Sequence, residues 1–141
     1  MTLGNNAPAG RFVTLGQEEI EQLPNHVRYW HLKPGLVQDT NLLFVRAHFP
    51  PGQAHQFHHH PHMEEIIFIL KGRGEEWLEK EKRILGPGDS IYIPAGMVHA
   101  TYNIGEETLE FLAILTPAKS AQPDTVDVSA EEPWRSLRPW P

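Results

Sequence analysis

His58 and His60 are the residues whose type and spacing point most directly to chemistry. On a β-strand, residues two apart project to the same face with Cα atoms about 6 to 7 Å apart, so two imidazoles can bind one ion. On a helix, the same spacing would turn the two side chains to different sides. The pair therefore indicates a metal site, provided that the surrounding segment is a strand.

A carboxylate ligand can come from the residues that follow this pair. Glu64 and Glu65 lie beyond His60, with Pro61 in between. Glu65 stands an odd number of residues after His60, so a continuous strand would place these two side chains on opposite faces. Because proline cannot donate to a central strand ladder, we expect the chain to turn at Pro61. After such a turn, either glutamate can approach the histidines from the neighbouring strand.

His99 is a further candidate ligand. It follows the tight turn at 94–96, which can lead the backbone into a new strand that points inward. The chain has no cysteine, which excludes disulfides, thiol nucleophiles and thiolate ligands, so any metal must be bound by imidazole and carboxylate. Three other histidines are predicted to lie on the surface or beside the ligands: His55, His59 and His62.

The elements around these residues are predicted to be strands. Between Val27 and Thr116, short apolar runs alternate with Gly, Pro and Asn, and little helical periodicity is present, which is typical of an all-β domain. The candidate strands are 26–32, 41–49, 53–60, 65–70, 75–79, 82–85, 90–93, 99–103 and 108–115. Helix is expected only near the ends, at 17–23 and in a short turn capped by Ser129 with Glu132.

The flanking segments give three further expectations. Residues 119–127 are predicted to be an exposed linker, while the apolar residues beyond it should pack on the barrel wall or on a neighbouring subunit: Trp134, Leu137 and Trp140. The strand 65–70 is apolar on both faces after its acidic pair, so its outer face should be covered by another sheet, by the terminal arms or by a dimer partner. Of these three we favour the partner and expect a homodimer.

Composition limits the class of protein. A chain of 141 residues fits one domain, with an N-terminal arm at 1–25, a barrel at 26–117 and a tail at 118–141. No apolar run approaches the roughly 20 residues of a membrane span. Residues 1–11 lack the basic region followed by an apolar stretch that is typical of a secretory signal. We therefore expect a cytoplasmic protein without a membrane partner. The net charge of -6 argues against a nucleic-acid partner.

Two spaced motifs resemble the signature motifs of the cupin superfamily. The first reads Gly52, five residues, His58-His59-His60, four residues, Glu65, six residues, Gly72. The second reads Gly88, five residues, Pro94-Ala95-Gly96, two residues, His99, three residues, Asn103, and 15 residues separate the motifs. The first motif favours Glu65 over Glu64. The resemblance implies a double-stranded β-helix, or jelly-roll barrel, with one mouth lined by His58, His60, Glu65 and His99.

Such a ligand set indicates a divalent ion but not one reaction. Three neutral imidazoles and one carboxylate favour Fe, Mn, Ni, Cu or Zn and leave a net charge of about +1, which suits an anionic oxygen substrate. Related cupins include dioxygenases, decarboxylases, isomerases, epimerases and non-enzymatic binding proteins. We expect a dioxygenase-like oxidoreductase acting on a small organic acid or enolisable molecule. The alternatives are a non-catalytic binding or sensing module and a non-redox isomerase or epimerase.

Residues beyond the ligands are less informative. The candidates for a general acid or base are His48, Tyr92, Thr101 and Tyr102. Thr101 and Asn103 share strand parity with His99, so they should face inward, where they can bond substrate or satisfy backbone groups. A small, partly hydrophobic pocket is expected from Ile67, Ile69, Phe111 and Ala113, and Phe44 and Trp77 are predicted to be core.

Overall fold

The computed structural model describes residues 6–119 and 124–140. Within these ranges the chain forms eleven strands and one short helix. Their bounds are β1 Glu19–Gln22, β2 Val27–Leu32, β3 Leu43–Phe49, β4 Ala54–His59, β5 Glu64–Lys71, β6 Gly74–Leu78, β7 Glu81–Leu85, β8 Ser90–Ile93, β9 His99–Asn103, β10 Leu109–Thr116, β11 Val126–Asp127 and α1 Trp134–Leu137. No helix in these ranges has the length and hydrophobicity of a membrane span.

The strands form two antiparallel sheets that enclose the interior. The first sheet has the order β1-β2-β3-β10-β5-β8, and the second has the order β11-β4-β9-β6-β7. Strands distant in sequence are adjacent in each sheet, as in a jelly roll. The predicted all-β class is confirmed, and each of the nine strands expected from turn spacing is present with bounds that differ by at most two residues.

The inner face of the first sheet is apolar. Alternate residues of β3, β5 and β10 point inward and are buried together, and the register places Ala113 beside both Val45 and Ile67. Burial of this apolar area is the main source of stability for the barrel. The members of this cluster are Val45, Ala47, Phe49, Met63, Ile67, Ile69, Ile93, Leu109, Phe111, Ala113 and Leu115.

The apolar cluster of the second sheet lies on its outer face. Phe57, Trp77 and Tyr102 form it with two alanines, and the tail residues Trp134, Leu137 and Trp140 pack against it. The Phe57 and Trp134 ring centroids lie 5.1 Å apart, and those of Tyr102 and Trp140 lie 5.0 Å apart. The tail is expected to pack either on the barrel wall or on a neighbouring subunit. In the structure it packs on the wall of its own barrel.

Two motif residues fix the turns that bring the strands together. Gly72 adopts a φ of +85°, and a Cβ there would lie 2.8 Å from the Thr108 carbonyl oxygen, so any larger residue is excluded by conformation and by space. Asn103 donates through Nδ2 to the carbonyls of Phe49 and Glu107, at 2.8 and 2.9 Å. The close backbone approach at Gly72 and the Asn103 side chain hold adjacent loops together.

The predicted helix at 17–23 is wrong. Residues Glu19–Gln22 form β1, which pairs with β2, and the Leu23 amide donates to the His26 carbonyl across the connecting turn. Glu21 accepts from the Trp30 indole at 3.0 Å. Pairing with β2 therefore outweighs the weak local preference for helix. Ile20 points away from the barrel and is exposed.

The expectations for the C-terminal segment also need correction. The predicted linker 119–127 includes 120–123, which lie outside the described residues, but Val126–Asp127 form β11 and pair with β4. The final helical turn begins after Pro133 and has no side-chain cap, so Ser129 is not its cap. Ser129 instead donates to Asp127 at 2.6 Å.

The outer face of β5 is not covered by another sheet or by the terminal arms within the described residues, so the expected cover by a dimer partner stays a prediction. Ile66 and Phe68 are 46% and 40% exposed, and Tyr92 on the adjacent β8 is 54% exposed. With Ile114 of β10, these four residues form an apolar strip on the first sheet, here called the outer strip.

Candidate metal centre

Both sheets contribute to the predicted ligand set. His58 on β4 stands opposite His99 on β9 in the strand register, so the second sheet brings these two side chains together directly. His60 lies just beyond β4, where the chain turns at Pro61 as predicted. Glu65 reaches the same point from β5 of the first sheet.

The ligating atoms converge within a buried volume. One ring nitrogen from each of His58, His60 and His99 lies within 4.8 Å of the other two. Glu65 Oε1 lies 3.2 Å from His60 Nε2 and 3.1 Å from His99 Nε2. All four residues are at most 6% exposed. The three imidazoles thus lie where they could share an ion, and the Glu65 carboxylate lies against two of them.

Backbone carbonyls determine which nitrogen each imidazole presents. His58 Nδ1 lies 2.6 Å from the Gln56 carbonyl, and His99 Nδ1 lies 2.9 Å from the Met97 carbonyl. His60 Nδ1 lies 2.8 Å from the Asp124 carbonyl. Because a carbonyl oxygen only accepts, each Nδ1 carries the proton and donates it. The Nε2 lone pairs are therefore left to bind a metal, as in many metal sites with histidine ligands.

The polar atoms at the centre fit a cation. His99 Nε2 and Glu65 Oε1 are buried, and neither makes a hydrogen bond of normal geometry with any described residue. Two acceptors held 3.1 Å apart in a dry interior repel one another unless a proton or a metal ion lies between them. A divalent ion would satisfy both atoms and the other two Nε2 nitrogens.

The charges at the centre favour metal binding at two of the four predicted ligands, Glu65 and His58. Burial opposes ionisation of Glu65, but His60 and His99 outweigh it and lower the pKa of the carboxyl to about 2. Burial likewise opposes protonation of His60, and the Glu65 carboxylate outweighs it, so the pKa of His60 is raised. The pKa of His58 is held well below its usual value, mainly by burial and secondly by the neighbouring His55. Glu65 is thus ionised and His58 neutral, as metal ligands must be, whereas a metal ion would have to displace the proton that Glu65 favours on His60.

A cavity of about 160 Å³ adjoins the centre. His60 and Glu65 line one side, and apolar residues of the first sheet form much of the wall, including Val45, Ala47, Phe49, Phe111 and Ala113. Strand β2 adds Arg28 and Trp30, and His26 precedes it on the same face because alternate residues point the same way. The cavity thus combines a candidate metal site, an apolar wall and a cationic side chain.

A family model described as the Cupin domain matches residues 45–115, which include all four predicted ligands. The chain belongs to the cupin family. An uncharacterized protein, MJ1618, of Methanocaldococcus jannaschii is 36% identical over 89 residues, covering 63% of this cupin and 71% of that protein. The polyketide synthase CurC of Streptomyces cyaneus is 31% identical over 120 residues, covering 82% of this chain and 76% of that protein.

A solved structure shows the same architecture. The dimethylsulfoniopropionate (DMSP) lyase DddQ from Ruegeria pomeroyi DSS-3 superimposes with a TM-score of 0.67 at 25% identity, covering 81% of this cupin and 62% of that chain. The resemblance to the cupin superfamily inferred from the two motifs is therefore confirmed. Metal binding by His58, His60, Glu65 and His99 stays a prediction, and three of these, the histidines, lie where they could bind an ion.

The neighbouring acidic and histidine residues take other positions in this cupin. Glu64 is exposed and accepts from the Tyr92 hydroxyl at 3.1 Å, so its carboxylate points away from the centre. His62 is exposed on the turn. His55 stacks on His58 with ring centroids 3.5 Å apart and lines the cavity, so it lies beside a predicted ligand.

None of the four predicted acid or base candidates lines the cavity. His48 lies on the outer face of the first sheet beside Arg46 and Glu110. Tyr92 is largely exposed. Tyr102 is buried under the tail, and this burial raises its pKa to about 12. Thr101 faces inward as expected, but its hydroxyl donates to Glu76 at 2.5 Å.

The predicted apolar lining is correct in part. Phe111 and Ala113 line the cavity, whereas Ile67 and Ile69 are buried in the core of the first sheet. Trp77 belongs to the cluster under the tail, not to the interior. Phe44 is only half-buried and packs against His31 at 5.1 Å on the outer face.

Sequence reasoning did not find His26, Arg28 and Glu76. The alternation His26-x-Arg28-x-Trp30 was the available signal for the first two, because it places a base, a cation and an indole on one strand face. Glu76 is 2% exposed, and its Oε1 has no hydrogen-bond partner among the described residues. Burial raises its pKa to about 8, so this carboxyl is protonated at neutral pH. No sequence pattern distinguished it from Glu75.

Proposed function

We propose that this cupin is a metal-dependent enzyme that acts on a small organic acid or enolisable molecule, with dioxygenase-like oxidation as its reaction. One observation carries the proposal: the group of converging imidazole and carboxylate side chains borders a cavity that Arg28 also lines. The arrangement has a place for a metal, a place for a carboxylate and an apolar space for the body of a substrate.

His58, His60 and His99 would hold the ion through Nε2, and Glu65 through Oε1. The donor set suits Fe, Mn, Ni, Cu or Zn, because it contains only imidazole nitrogen and carboxylate oxygen. When bound, the ion supplies Lewis acidity and, if it is Fe, Mn, Ni or Cu, redox chemistry with dioxygen. The buried surroundings exclude bulk water from the centre, which strengthens electrostatic interactions there.

Arg28 supports an anionic substrate. Its one side-chain hydrogen bond within the described ranges is to Glu21, at 3.5 Å, so other N–H groups remain available for a carboxylate. Arginine binds carboxylates through paired N–H donors, and the apolar wall opposite strengthens such a contact. The cavity of about 160 Å³ is well below the range of roughly 300 to 1,000 Å³ for drug-sized ligands. A small acid therefore fits better than a sugar nucleotide or a polyketide.

Oxygen consumption tests this function. Iron- or manganese-loaded protein is supplied with 2,4-dioxopentanoate, a 1,3-diketone that carries a carboxylate, and oxygen uptake is followed with an electrode. We expect His58→Ala to abolish both metal retention and oxygen uptake, while His62→Ala, an exposed histidine on the adjacent turn, retains both. Metal content is measured by elemental analysis. Equal uptake by wild type and His58→Ala would exclude the proposed centre.

The contribution of Arg28 is tested with a matched pair of probes. Arg28→Met should raise KM for 2,4-dioxopentanoate by roughly 10- to 100-fold, the range for losing a charge-assisted pair, and leave KM for 2,4-pentanedione nearly unchanged. The second probe has the same diketone but no carboxylate. Arg83→Met, a change in an exposed arginine on β7, is the control. Equal effects on both probes would argue against a carboxylate at Arg28.

A second candidate is a non-redox reaction at the same centre, such as elimination or isomerisation. The similarity to the DMSP lyase DddQ favours it, since that protein shares the fold and carries the name of a lyase. Product formed under nitrogen by zinc-loaded protein would support this candidate over oxidation. Saturable probe binding without any product would instead indicate a binding or sensing cupin.

We also propose a homodimer that covers the outer strip. The four residues of the outer strip expose contiguous apolar surface on one sheet face, which monomeric proteins usually avoid. Phe68→Glu should convert a dimer to a monomer, as measured by analytical ultracentrifugation. A wild-type protein that sediments as a monomer at micromolar concentration would contradict the proposal.

A further inference from the structure

We propose that His26 is the general base of this site, accepting a proton from the substrate at Nε2. The inference rests on the proposed function, because it supplies a proton acceptor for the small acid held between Arg28 and the predicted ligands. It assigns a role to a residue outside both cupin motifs. The same step would serve oxidation, elimination or isomerisation, since each begins with removal of a proton from an enolisable substrate.

The position of His26 gives it access to a bound molecule. It lines the cavity next to β2, on the face that also presents Arg28. His26 is 8% exposed as a residue, and its ring stacks on Phe49 with centroids 4.3 Å apart and planes 8° apart, so its orientation is fixed by packing. A base held rigidly beside the substrate contributes more than a mobile one.

Asn25 determines which ring nitrogen is free. Its Nδ2 donates to the Ala54 carbonyl at 2.9 Å, so the opposite end of the amide, Oδ1, faces His26. His26 Nδ1 lies 2.7 Å from this oxygen, which can only accept, and Nδ1 therefore carries the proton. Nε2 has no hydrogen-bond partner among the described residues and keeps its lone pair. The Asn25-His26 pair resembles the base and orienting group of acid-base enzymes.

The charges around His26 keep it able to accept a proton. Burial, reinforced by the positive charge of Arg28 and opposed by Glu21, lowers the pKa of His26 to about 4. The ring is thus neutral at pH 7 before substrate arrives. A bound carboxylate neutralises Arg28 and favours the imidazolium once the proton has moved. Substrate binding therefore makes the base stronger at the moment it is needed.

The proposed step balances without an added reagent. A C–H or enolic O–H bond of the substrate breaks, and its electron pair stays on the substrate as an enolate. A new N–H bond forms at His26 Nε2, which becomes an imidazolium that still donates from Nδ1 to Asn25. The proton returns to product or leaves to solvent through the mouth of the cavity.

Counting protons tests the proposal without relying on turnover. Nickel-loaded protein under nitrogen binds 2,4-dioxopentanoate in a calorimeter, in two buffers with different ionisation enthalpies, at a pH between the pKa of His26 and that of the probe's enol. The difference in heat gives the protons released per probe bound. Wild type is compared with His26→Gln and with His31→Gln, a control on the opposite face of β2.

We expect wild type and His31→Gln to release close to no proton, because His26 captures it, and His26→Gln to release about one proton per probe. With iron and air, His26→Gln should also lower kcat/KM by roughly 100-fold or more while nickel content stays unchanged. If His26→Gln loses nickel, His26→Phe replaces it in the same comparison, since it keeps the stacking on Phe49 but has no ring nitrogen.

The outcomes separate this inference from the function on which it rests. Equal proton release by wild type and both variants, with nickel-dependent binding intact, would overturn the role of His26 alone. Failure of wild type to bind the probe in a nickel-dependent manner would overturn the proposed substrate class, and the inference with it.

Discussion

The two sheets of this cupin bury their apolar residues on opposite sides. The first sheet follows the usual rule, with Ile69 and Phe111 inside the barrel. The second sheet reverses it, because its inner face carries His58, His99 and Glu76 while Phe57 lies outside. A sheet whose inner face is reserved for polar chemistry must obtain its hydrophobic stabilisation elsewhere.

The C-terminal tail supplies that stabilisation. Trp134 covers Phe57, and Arg138 lies over the Tyr102 ring at 4.4 Å while donating to Glu75 at 2.6 Å. These contacts bury the outer face of the second sheet, whereas part of the outer face of the first sheet is exposed in the outer strip. The functional sheet therefore depends on a segment that is distant from the site in sequence.

Removing an aromatic ring from under the tail should have the largest effect on stability. Phe57 is 1% exposed, so Phe57→Ala should lower the free energy of unfolding by about 3 to 5 kcal/mol, from lost burial and the cavity left behind. Urea denaturation followed by tryptophan fluorescence gives the change. A loss below about 1 kcal/mol would show that the tail adds little to the second sheet.

Glu76 should make the second sheet less stable as pH rises. The pKa of Glu76 is about 8 in the fold against an ordinary value of 4.5. The protonated carboxyl therefore contributes its full stability below pH 4.5, and this contribution falls as the pH rises from 4.5 to 8. In metal-free protein we expect Glu76→Gln to remove this slope and to be more stable than wild type by about 2 kcal/mol at pH 8. Chemical denaturation across this range measures the difference. Parallel curves for the two proteins would contradict the prediction.

Glu18, which immediately precedes β1, should have the opposite pH dependence. A hydrogen bond from Arg46 at 2.7 Å lowers the pKa of Glu18 to about 2, so its contribution is present above pH 4.5 and lost as the pH falls toward 2. With an allowance for solvent screening near the surface, Glu18→Gln should cost about 1 kcal/mol at pH 7 and little at pH 2. Acid titration of both proteins by circular dichroism tests the sign.

The smallest effect is expected on the outer strip. Phe68 is 40% exposed, so Phe68→Ala should change the stability of the monomer by less than about 1 kcal/mol. The free energies of unfolding of Phe68→Ala and Phe57→Ala are compared by denaturation at several protein concentrations. A large, concentration-dependent loss would instead show that Phe68 is buried between two copies of the chain.

Much of the fold could be predicted because turn residues are local signals. Gly and Pro marked the ends of nine strands, and the two motifs predicted the segments from which His58, His60 and His99 converge. Strand β1 was missed because its structure comes from pairing with β2, which no local pattern encodes. Strand β11 has two residues, too few for any periodicity.

The remainder of the site depends on strand order. His26 and Arg28 enter the cavity because β2 lies beside β3 in the first sheet, a long-range arrangement that a single sequence does not show. Similarly, the acid and base candidates chosen from residue type alone proved to lie outside the cavity, since type does not say which face a strand presents.

The second nitrogen of each predicted histidine ligand is held by main chain, at Gln56, Met97 and Asp124. Substituting the side chain at any of these three positions would leave the anchoring oxygen where it is. The path of the loops therefore determines the orientation of the rings. Copying the four ligand residues alone into another scaffold would not orient them, so the loops would have to be copied as well.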